Sequence, residues 1–547
     1  MNSHKKRILI LGAGVMQGPA IRSAKAMGLE TVVIDGDPNA AMAYEADRFE
    51  VIDLKDTAKI LAFAKILQTE DRLDGVMTAG TDFSASVAFA AEHLGLPGIP
   101  YETSLDASDK ERMRKRFREA GLPSPAFTIF TKDTIKDTSD ILQNEPFTYP
   151  VVVKPVDNMG ARGCRRVDNN MDLGAAVAAA ISFSRSERAI VEEYMEGPEF
   201  SVDAIVFQGE VTICGLADRH IFFPPYFIEM GHTMPTNFPV KDQEAILEVF
   251  IRGIKALGIE NGAAKGDIKL TSRGPMIGEI AARLSGGYMS GWTYPYASGV
   301  NPAAGALSVA LGQKPEGLSP AINWTSAERA FISIPGMVKS IEGTETAGNM
   351  PCIKDLFLRA APGQRIFFPE NNVSKAGNVI SAAPDRQTAV QAAEDAVKTI
   401  LIRLTAPDEA TDAFLAANVE FPPSAYKLDS AQLEQLARMV SGTGFDSTKV
   451  QPFHQNSDSS FVPPCLSEMN IKIFPFPAFT ESALTDYVGR TPRETLEAIK
   501  TLTGLELIET EKDTRGSVLG REFWASLVRG GYQGAVYYID KLFCRFK

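Results

Sequence analysis

The chain has 547 residues, 44% hydrophobic and 23% charged, with a formal net charge of −12. That length accommodates several cores, the composition is ordinary for a soluble protein, and the acidic balance argues against nonspecific nucleic-acid binding and gives no reason to invoke a membrane surface. Five scattered cysteines without a Cys-x-x-Cys, and five histidines without metal-ligand spacing, exclude a disulfide framework and a zinc site and fit a cytoplasmic protein. The opening residues lead straight into a strand and no apolar run reaches membrane-spanning length, so neither a signal peptide nor a transmembrane helix is expected.

In chain order, residues 7–11 form a short apolar strand, followed by Gly12-Ala13-Gly14-Val15-Met16-Gln17-Gly18, a helix through Met27 and a second strand ending at Asp35. This βαβ opening predicts a parallel sheet. The glycines are one residue too widely spaced for Gly-x-Gly-x-x-Gly, so a tight turn at a Rossmann-like strand end is preferred over a dinucleotide site. A further strand at 75–78, a turn at 79–82 and a helix at 84–94 extend the unit, which closes near Pro100. Asp109 then caps a strongly basic helix that stops at Gly121-Leu122-Pro123, and most of its charges should form a solvated face.

Residues 151–163 read Val-Val-Val-Lys-Pro-Val-Asp-Asn-Met-Gly-Ala-Arg-Gly. A strand delivers Lys154 into a glycine-bearing loop, which suits a polyphosphate, because glycine lets backbone N–H groups approach phosphate oxygens and the lysine adds a point charge. Gly-Lys-Ser/Thr and a directly following helix are missing, so this is not a Walker A loop; an ordinary strand and turn is the alternative. A strand at 189–195 turns at Gly197-Pro198 into one in which Phe200, Val202, Ala204 and Val206 alternate, leaving Glu199, Ser201 and Asp203 on the opposite face. That face is either functional or merely solvated.

Residues 264–284 read as a hairpin. A register symmetric about Arg273 sets Asp267 opposite Glu279, where two carboxylates repel unless a cation lies between them, and Mg2+ takes one or two carboxylates plus phosphate oxygens. On the returning strand Met276, Gly278, Ile280, Ala282 and Leu284 form an apolar face, while Glu279, Ala281 and Arg283 project together ahead of Ser285-Gly286-Gly287. The bland alternative is a surface ion pair.

This ordered set resembles the ATP-grasp superfamily, in the branch of biotin carboxylase, carbamoyl-phosphate synthetase and the L-amino-acid ligases. The likeness runs from residue 7 to about 405. It rests on the Asp109-Lys110 helix ending in Ala-Gly-Leu-Pro, the Val-Lys-Pro loop, Glu-Glu-Tyr-Met-Glu-Gly-Pro-Glu-Phe-Ser-Val-Asp and Gly-Glu-Ile-Ala-Ala-Arg-Leu-Ser-Gly-Gly. The resemblance implies a multidomain α/β and α+β protein. A Rossmann-like pre-ATP-grasp domain would span residues 1–105. An ATP-grasp domain would span 106–330, with its lid at about 125–195, and a lobe at 331–406 would complete the ATP-grasp core.

It further implies ATP with Mg2+, or Mn2+ in its place. Lys110 and Lys154 would hold the phosphates, and the loop carrying Asn158, Gly160, Arg162 and Gly163 would close over them with Arg162 reaching the γ-phosphate. Glu192, Glu193 and Met195 would line the adenine, and Glu199 would accept from the ribose. Asp267 and Glu279 would bind metal, while Arg283 would orient the reacting carboxylate, with Lys154 and Arg162 sharing the catalytic work. Two departures stand out. Relatives usually carry an asparagine where Ala281 stands, and Ser285-Gly286-Gly287-Tyr288 replaces the glutamate-bearing segment that biotin carboxylases use for bicarbonate.

In amino-acid-ligase relatives the region 220–239 approaches the acceptor pocket, so Phe223, Tyr226, Glu229 and His232, joined by Ser285, Gly286, Gly287, Tyr288 and Trp292, are expected to select substrate; a proline-stiffened loop is the alternative. Beyond Pro407 the likeness stops. Residues 455–464 read as a linker, 480–509 as a winged-helix-like module without a basic stripe, and 523–547 as a packing or oligomerisation segment within an accessory α+β module at 407–547. The expected activity is that of an ATP-dependent carboxylate–amine ligase working through an acyl phosphate, with a small-molecule acid and amine as partners and a homo-oligomer, guessed as a dimer, as the assembly. Bicarbonate chemistry and a nucleotide-binding regulator are the alternatives. Cys164, beside the loop, reads as a packing residue.

Overall fold

The computed structural model describes residues 5–135, 147–417, 492–504 and 521–545, with 426–427, 431 and 472–473 besides. The chain divides into two units, one of residues 1–221, 231–328 and 382–389, the other of 222–230, 329–381 and 390–547. The first unit opens with β1 (Arg7–Leu11), β2 (Glu30–Asp35), β3 (Arg48–Val51) and β4 (Gly75–Thr78), all parallel in the order β3-β2-β1-β4. Ile8 to Leu11 are all fully buried, as a strand covered on both faces must be. Ile8 and Ile10 pack with Ile21 and Leu307, and Leu9 and Leu11 with Ile60, Phe63 and Leu67. Gly12 takes φ +100°, and the loop's amides are used internally: Ala13 N–H donates to Asp35 Oδ2 at 2.7 Å and Gly14 N–H to Gln17 Oε1 at 3.0 Å. The acid that a dinucleotide fingerprint would offer to a ribose thus closes the glycine turn.

The helix Lys110–Glu119 leads to a four-stranded antiparallel sheet of β5 (Phe127–Thr131), β6 (Val151–Pro155), β7 (Arg165–Val167) and β8 (Arg188–Glu193), ordered β5-β8-β6-β7. The helix Asn170–Phe183 packs Leu173, Val177 and Ile181 against Val151, Val153 and Val191. Strand alternation then turns Lys154 away from that core. Next come β9 (Glu199–Phe207), β10 (Glu210–Phe222), β11 (Ile228–Met234), β12 (Gly262–Thr271) and β13 (Gly274–Ala281), with neighbours in the order β13-β12-β9-β10. Phe200, Val202 and Ala204 face a core with Met113, Phe117, Phe250 and Ile254, supplied by Lys110–Glu119 and the helix Val240–Leu257.

Asp267 does lie opposite Glu279, but by a different route from simple symmetry. The turn pairs Thr271 with Gly274, and Ile268 pairs with Ile277, so Gly278 has no register partner and forms a bulge. The bulge shifts the side-chain phase. Ile277, not Met276 or Gly278, joins Ile280 and Ala282 in the core, and Glu279 is free to face the other way.

In the second unit, the strand Gly336–Glu342 lies between Arg365–Ile366 and Leu401–Leu404. The C-terminal helical segment Arg521–Arg545, broken at Gly531 (φ +60°) into two helices, is built into this unit: Phe523, Leu527, Val528, Ala535, Tyr537 and Ile539 are buried. Gln533 donates to Ser333 Oγ at 2.7 Å and Ile402 O at 2.8 Å and accepts from Ile334 N–H at 3.0 Å, while Arg403 and Asp540 form a two-bond ion pair. Of the expected winged-helix elements, the helix Pro492–Thr503 is present, and the flanking helix and strand lie outside the described residues, as does the expected linker at 455–464. Among the described residues no helix is long and apolar enough to cross a membrane.

Candidate functional site

Two lysines enter the site from different elements. Lys110, the first residue of its helix and 6% exposed, has its Nζ 2.9 Å from the Asn158 carbonyl and 3.8 Å from Glu279 Oε1. Lys154 Nζ lies 2.6 Å from Glu192 Oε2, and the other oxygen of that carboxylate accepts from Arg114 Nε at 2.9 Å. Burial pushes the Glu192 carboxyl up, but Arg114 and Lys154 more than reverse this and hold it below the usual range. The loop at 158–163, with Asn158 and Arg162 half-buried, takes positive φ at Gly160 (+69°), Ala161 (+59°) and Gly163 (+69°). Such a run points successive amides to one side, and the strained alanine marks the loop as more than a connector. A Cβ on Gly163 would meet the Phe183 ring at 2.8 Å, so the glycine is required by packing as well. Burial pushes the neighbouring Cys164 thiol up to about 11, which keeps it protonated at neutral pH.

Glu193 pairs with Arg273, and the Met195 carbonyl accepts from Lys269 Nζ at 3.0 Å. Glu199 pairs with Arg219 and lies 3.7 Å from Lys269 Nζ. Ser201 Oγ donates to Asp267 Oδ1 at 2.9 Å, and the second Asp267 oxygen meets Lys265 and, at 3.1 Å, Arg219. Burial acts to raise both the Asp267 and the Glu279 carboxyl. Arg219 and Lys265 nevertheless bring Asp267 below its usual range, and Lys110, Lys265, Lys154 and Arg283 bring Glu279 down to about 2. Both are therefore ionised at neutral pH.

In the middle of β9, Asp203 accepts from Ser285 Oγ at 2.5 Å and from Ser285 N–H at 3.3 Å. Arg283, 8% exposed, donates from Nη1 to the Leu284 carbonyl at 3.0 Å. Asp203 Oδ1 and Arg283 Nε are buried without a hydrogen-bond partner among the described residues. The Ser-Gly-Gly segment leans on the N-terminal sheet: Gly80 N–H donates to Leu284 O at 3.3 Å, and a Cβ on Gly286 would lie 3.2 Å from Gly80 O. Tyr288 takes φ +64° and its ring meets Trp292 edge-on at 5.4 Å.

Lys110, Lys154, Glu192, Glu199, Asp267, Glu279 and Arg283 thus belong to one connected charge array in the first unit. His232 is fully buried there, its Nδ1 2.9 Å from Glu328 Oε2. Phe223, Tyr226 and Glu229 belong to the second unit. Phe223 is a core residue against Phe368, Tyr226 packs beside that core, and the Glu229 backbone is held by Asn372 and Lys375. The sequence reading overlooked Arg114, Lys265 and Arg219. Lys265 was open to inference, since two residues before Asp267 on a strand it must share that face. Arg114 completes a buried helical stripe with Lys110, Met113 and Phe117.

Two opposed, ionised carboxylates are hard oxygen donors of the kind Mg2+ accepts alongside phosphate oxygens. Among the described residues no third His, Cys, Asp or Glu joins them, and Ala281 pairs in register with Lys265. The residues fit a divalent ion that takes its remaining ligands from a phosphate substrate and water. Lysines on one side, carboxylates in the middle and a buried arginine beyond form an array suited to steering negative charge through a phosphoryl transfer.

Comparison with known proteins gives three family matches: an ATP-grasp domain over residues 147–291, an L-amino acid ligase C-terminal domain 2 over 330–405, and an ATP-grasp N-terminal domain over 21–98. The chain is 24% identical over 388 residues to uncharacterized protein y4rH of Sinorhizobium fredii (strain NBRC 101917 / NGR234), covering 70% of this chain and 79% of that one. It is 25% identical over 331 residues to carnosine synthase 1 of Gallus gallus, covering 57% of this chain but only 36% of the relative. The solved structure of L-amino acid ligase from Bacillus licheniformis superposes with a TM-score of 0.63 at 22% identity, covering 73% of this chain and 99% of that one.

Proposed function

Since the chain belongs to the ATP-grasp superfamily, we propose that it is an ATP-dependent carboxylate–amine ligase that forms an amide or peptide bond and releases ADP and phosphate. The observation that carries this reading is the single face on which ionised Asp267 and Glu279 lie among Lys110, Lys154, Lys265 and Arg283. In this reading Lys110 and Lys154 bind the phosphates, and the positive-φ loop with Asn158, Gly160, Arg162 and Gly163 covers them. Glu192, Glu193 and Met195 line the base, and Glu199 takes the ribose. Asp267 and Glu279 would hold Mg2+, or Mn2+ in its place, and the ion would supply Lewis-acid neutralisation of the phosphate charge. Arg283 holds the reacting carboxylate in line with the γ-phosphate. The carboxylate oxygen bonds to phosphorus as the bond to ADP breaks, and an amine then displaces phosphate from the acyl phosphate. Positioning and electrostatics do the work, so no side-chain nucleophile is needed.

An amino acid as one reactant is favoured by the match of residues 330–405 to the L-amino acid ligase domain and by the likeness to carnosine synthase. Ser285, Gly286, Gly287, Tyr288 and Trp292 are the proposed acceptor-side residues, with His232 as an outer candidate; Phe223, Tyr226 and Glu229, which belong to the second unit, are not carried into this site. One observation favours a second reading, a nucleotide-binding regulator: Ala281 offers no ligand atom on the metal face. The deciding assay is ADP release from Mg2+-ATP across pools of amino acids, other carboxylates and bicarbonate. Turnover should require both an acid and an amine and fall by about 100-fold or more in Lys154→Ala and Glu279→Ala. Tight ATP binding with no turnover in any pool would favour the regulator, and dependence on bicarbonate alone would refute the ligase.

A further inference from the structure

We infer that Arg114 is a positioning residue that ties the nucleotide-facing edge of the β5-β8-β6-β7 sheet to the bulge aiming Glu279, an inference that rests on the ATP reading above. Arg114 lies one turn beyond Lys110 on the same helix and is fully buried. A buried guanidinium is heavily penalised unless its N–H groups are paired. Here Nε donates to Glu192 Oε1 at 2.9 Å and Nη2 donates to the Gly278 carbonyl at 2.5 Å. Glu192 is the penultimate residue of β8 and Gly278 is the bulge residue of β13, so one rigid planar fork fixes two sheets at once.

On the β13 side the contact holds the bulge. Gly278 has no partner in the strand register, and Arg114 donates to its carbonyl. The same helix and its exit hold the rest of that edge: Ile277 N–H donates to Pro123 O at 2.9 Å, and Ile280 N–H points at Met113 Sδ at 3.4 Å. Without the bulge, Ile277 and Glu279 would share a face, and one of them would be misplaced. On the β8 side Arg114 shares Glu192 with Lys154. Left to Lys154 alone, that buried carboxylate would grip the ammonium harder and phosphate oxygens would compete for it poorly. Arg114 therefore sets both the availability of Lys154 and the direction of Glu279 without touching a reactant.

Arg114→Lys keeps the buried charge, but one ammonium on a shorter reach cannot serve both acceptors. Titration calorimetry of the full chain with Mg2+-ATP, at low and high free Mg2+, is run beside a melting curve. The expected result is a melting temperature close to wild type, a dissociation constant raised about tenfold (about 1.4 kcal/mol), and a higher Mg2+ requirement for half-saturation. A merely structural role would lower the melting temperature and the folded fraction without changing the affinity of folded molecules. Wild-type affinity in Arg114→Lys overturns the inference and leaves the ATP reading standing, whereas a wild-type chain that does not bind Mg2+-ATP overturns both. If Arg114→Lys does not fold, Glu192→Gln is compared with Arg114→Met/Glu192→Gln, the double variant removing the buried guanidinium and its carboxylate together. The double variant should bind Mg2+-ATP several-fold more weakly, and equal constants overturn the inference.

Discussion

Asp203 and Glu279 lie in the same array and are driven in opposite directions by it. Burial pushes the Asp203 carboxyl up to about 6, against the pull of the Ser285 hydrogen bonds and of Lys265 and Arg283. A carboxyl whose folded pKa stands above its unfolded value holds more protons in the native state, so stability falls as pH rises from about 4 to about 6 and is then flat. Asp203→Asn should therefore melt above wild type at pH 7, with the gap closing toward pH 4; a gap independent of pH would refute the assignment. For Glu279 the sign reverses. Its folded value of about 2 stabilises the native state above the unfolded value and is lost as pH falls through about 2. Glu279→Gln should flatten the acid limb of a melting-temperature profile below about pH 4.5. Lys154, Asp267 and Glu279 could be singled out from sequence because each is a charge on an otherwise largely apolar strand, and Arg283 because it follows such a strand directly ahead of Ser285-Gly286-Gly287. Arg114 could not be separated so simply, because it sits among Arg112, Lys115, Arg116 and Arg118, and only packing against Met113 and Phe117 distinguishes it.

The turn from β8 into β9 shows how tightly the elements around the site are joined. Gly197 takes φ +137°, and a Cβ there would lie 2.1 Å from the Leu270 carbonyl of β12. The clash is with backbone, so it cannot be relieved by a rotamer change. Gly197→Ala should cost about 2–4 kcal/mol in urea unfolding, whereas Gly209→Ala, at positive φ but in open space, should cost about 1 kcal/mol or less. Equal costs would show that the close approach to β12 is not what requires glycine. The parallel opening sheet and the β12–β13 hairpin were legible from apolar runs and turn residues. The bulge at Gly278 was not, because a phase shift of one residue leaves no periodic trace when both neighbouring positions are apolar or glycine.

Across the whole molecule, the second unit is completed by a helical segment more than a hundred residues beyond its strand Leu401–Leu404. Arg521–Arg545 fills its core with Phe523, Leu527, Val528 and Tyr537, and Gln533 supplies three hydrogen bonds to backbone and Ser333. A chain ending at residue 520 should expose that core, bind a hydrophobic dye and lose its cooperative melt; a truncated chain that melts like wild type would show the helix to be dispensable. The ordered motifs carried the resemblance to the ATP-grasp superfamily, and the sequence by itself determined the parallel N-terminal sheet and which strands carry carboxylates and lysines. These follow from local periodicity and from residue types that each occupy one position in one element. Only the tertiary structure decided that Arg114 is buried between two sheets, that Lys265 and Arg219 flank Asp267, that Phe223 is core, and that the C-terminal helix belongs to the second unit. Each of these depends on which surfaces meet across tens to hundreds of residues, and burial at such a meeting is set by the geometry of both partners rather than by either stretch alone.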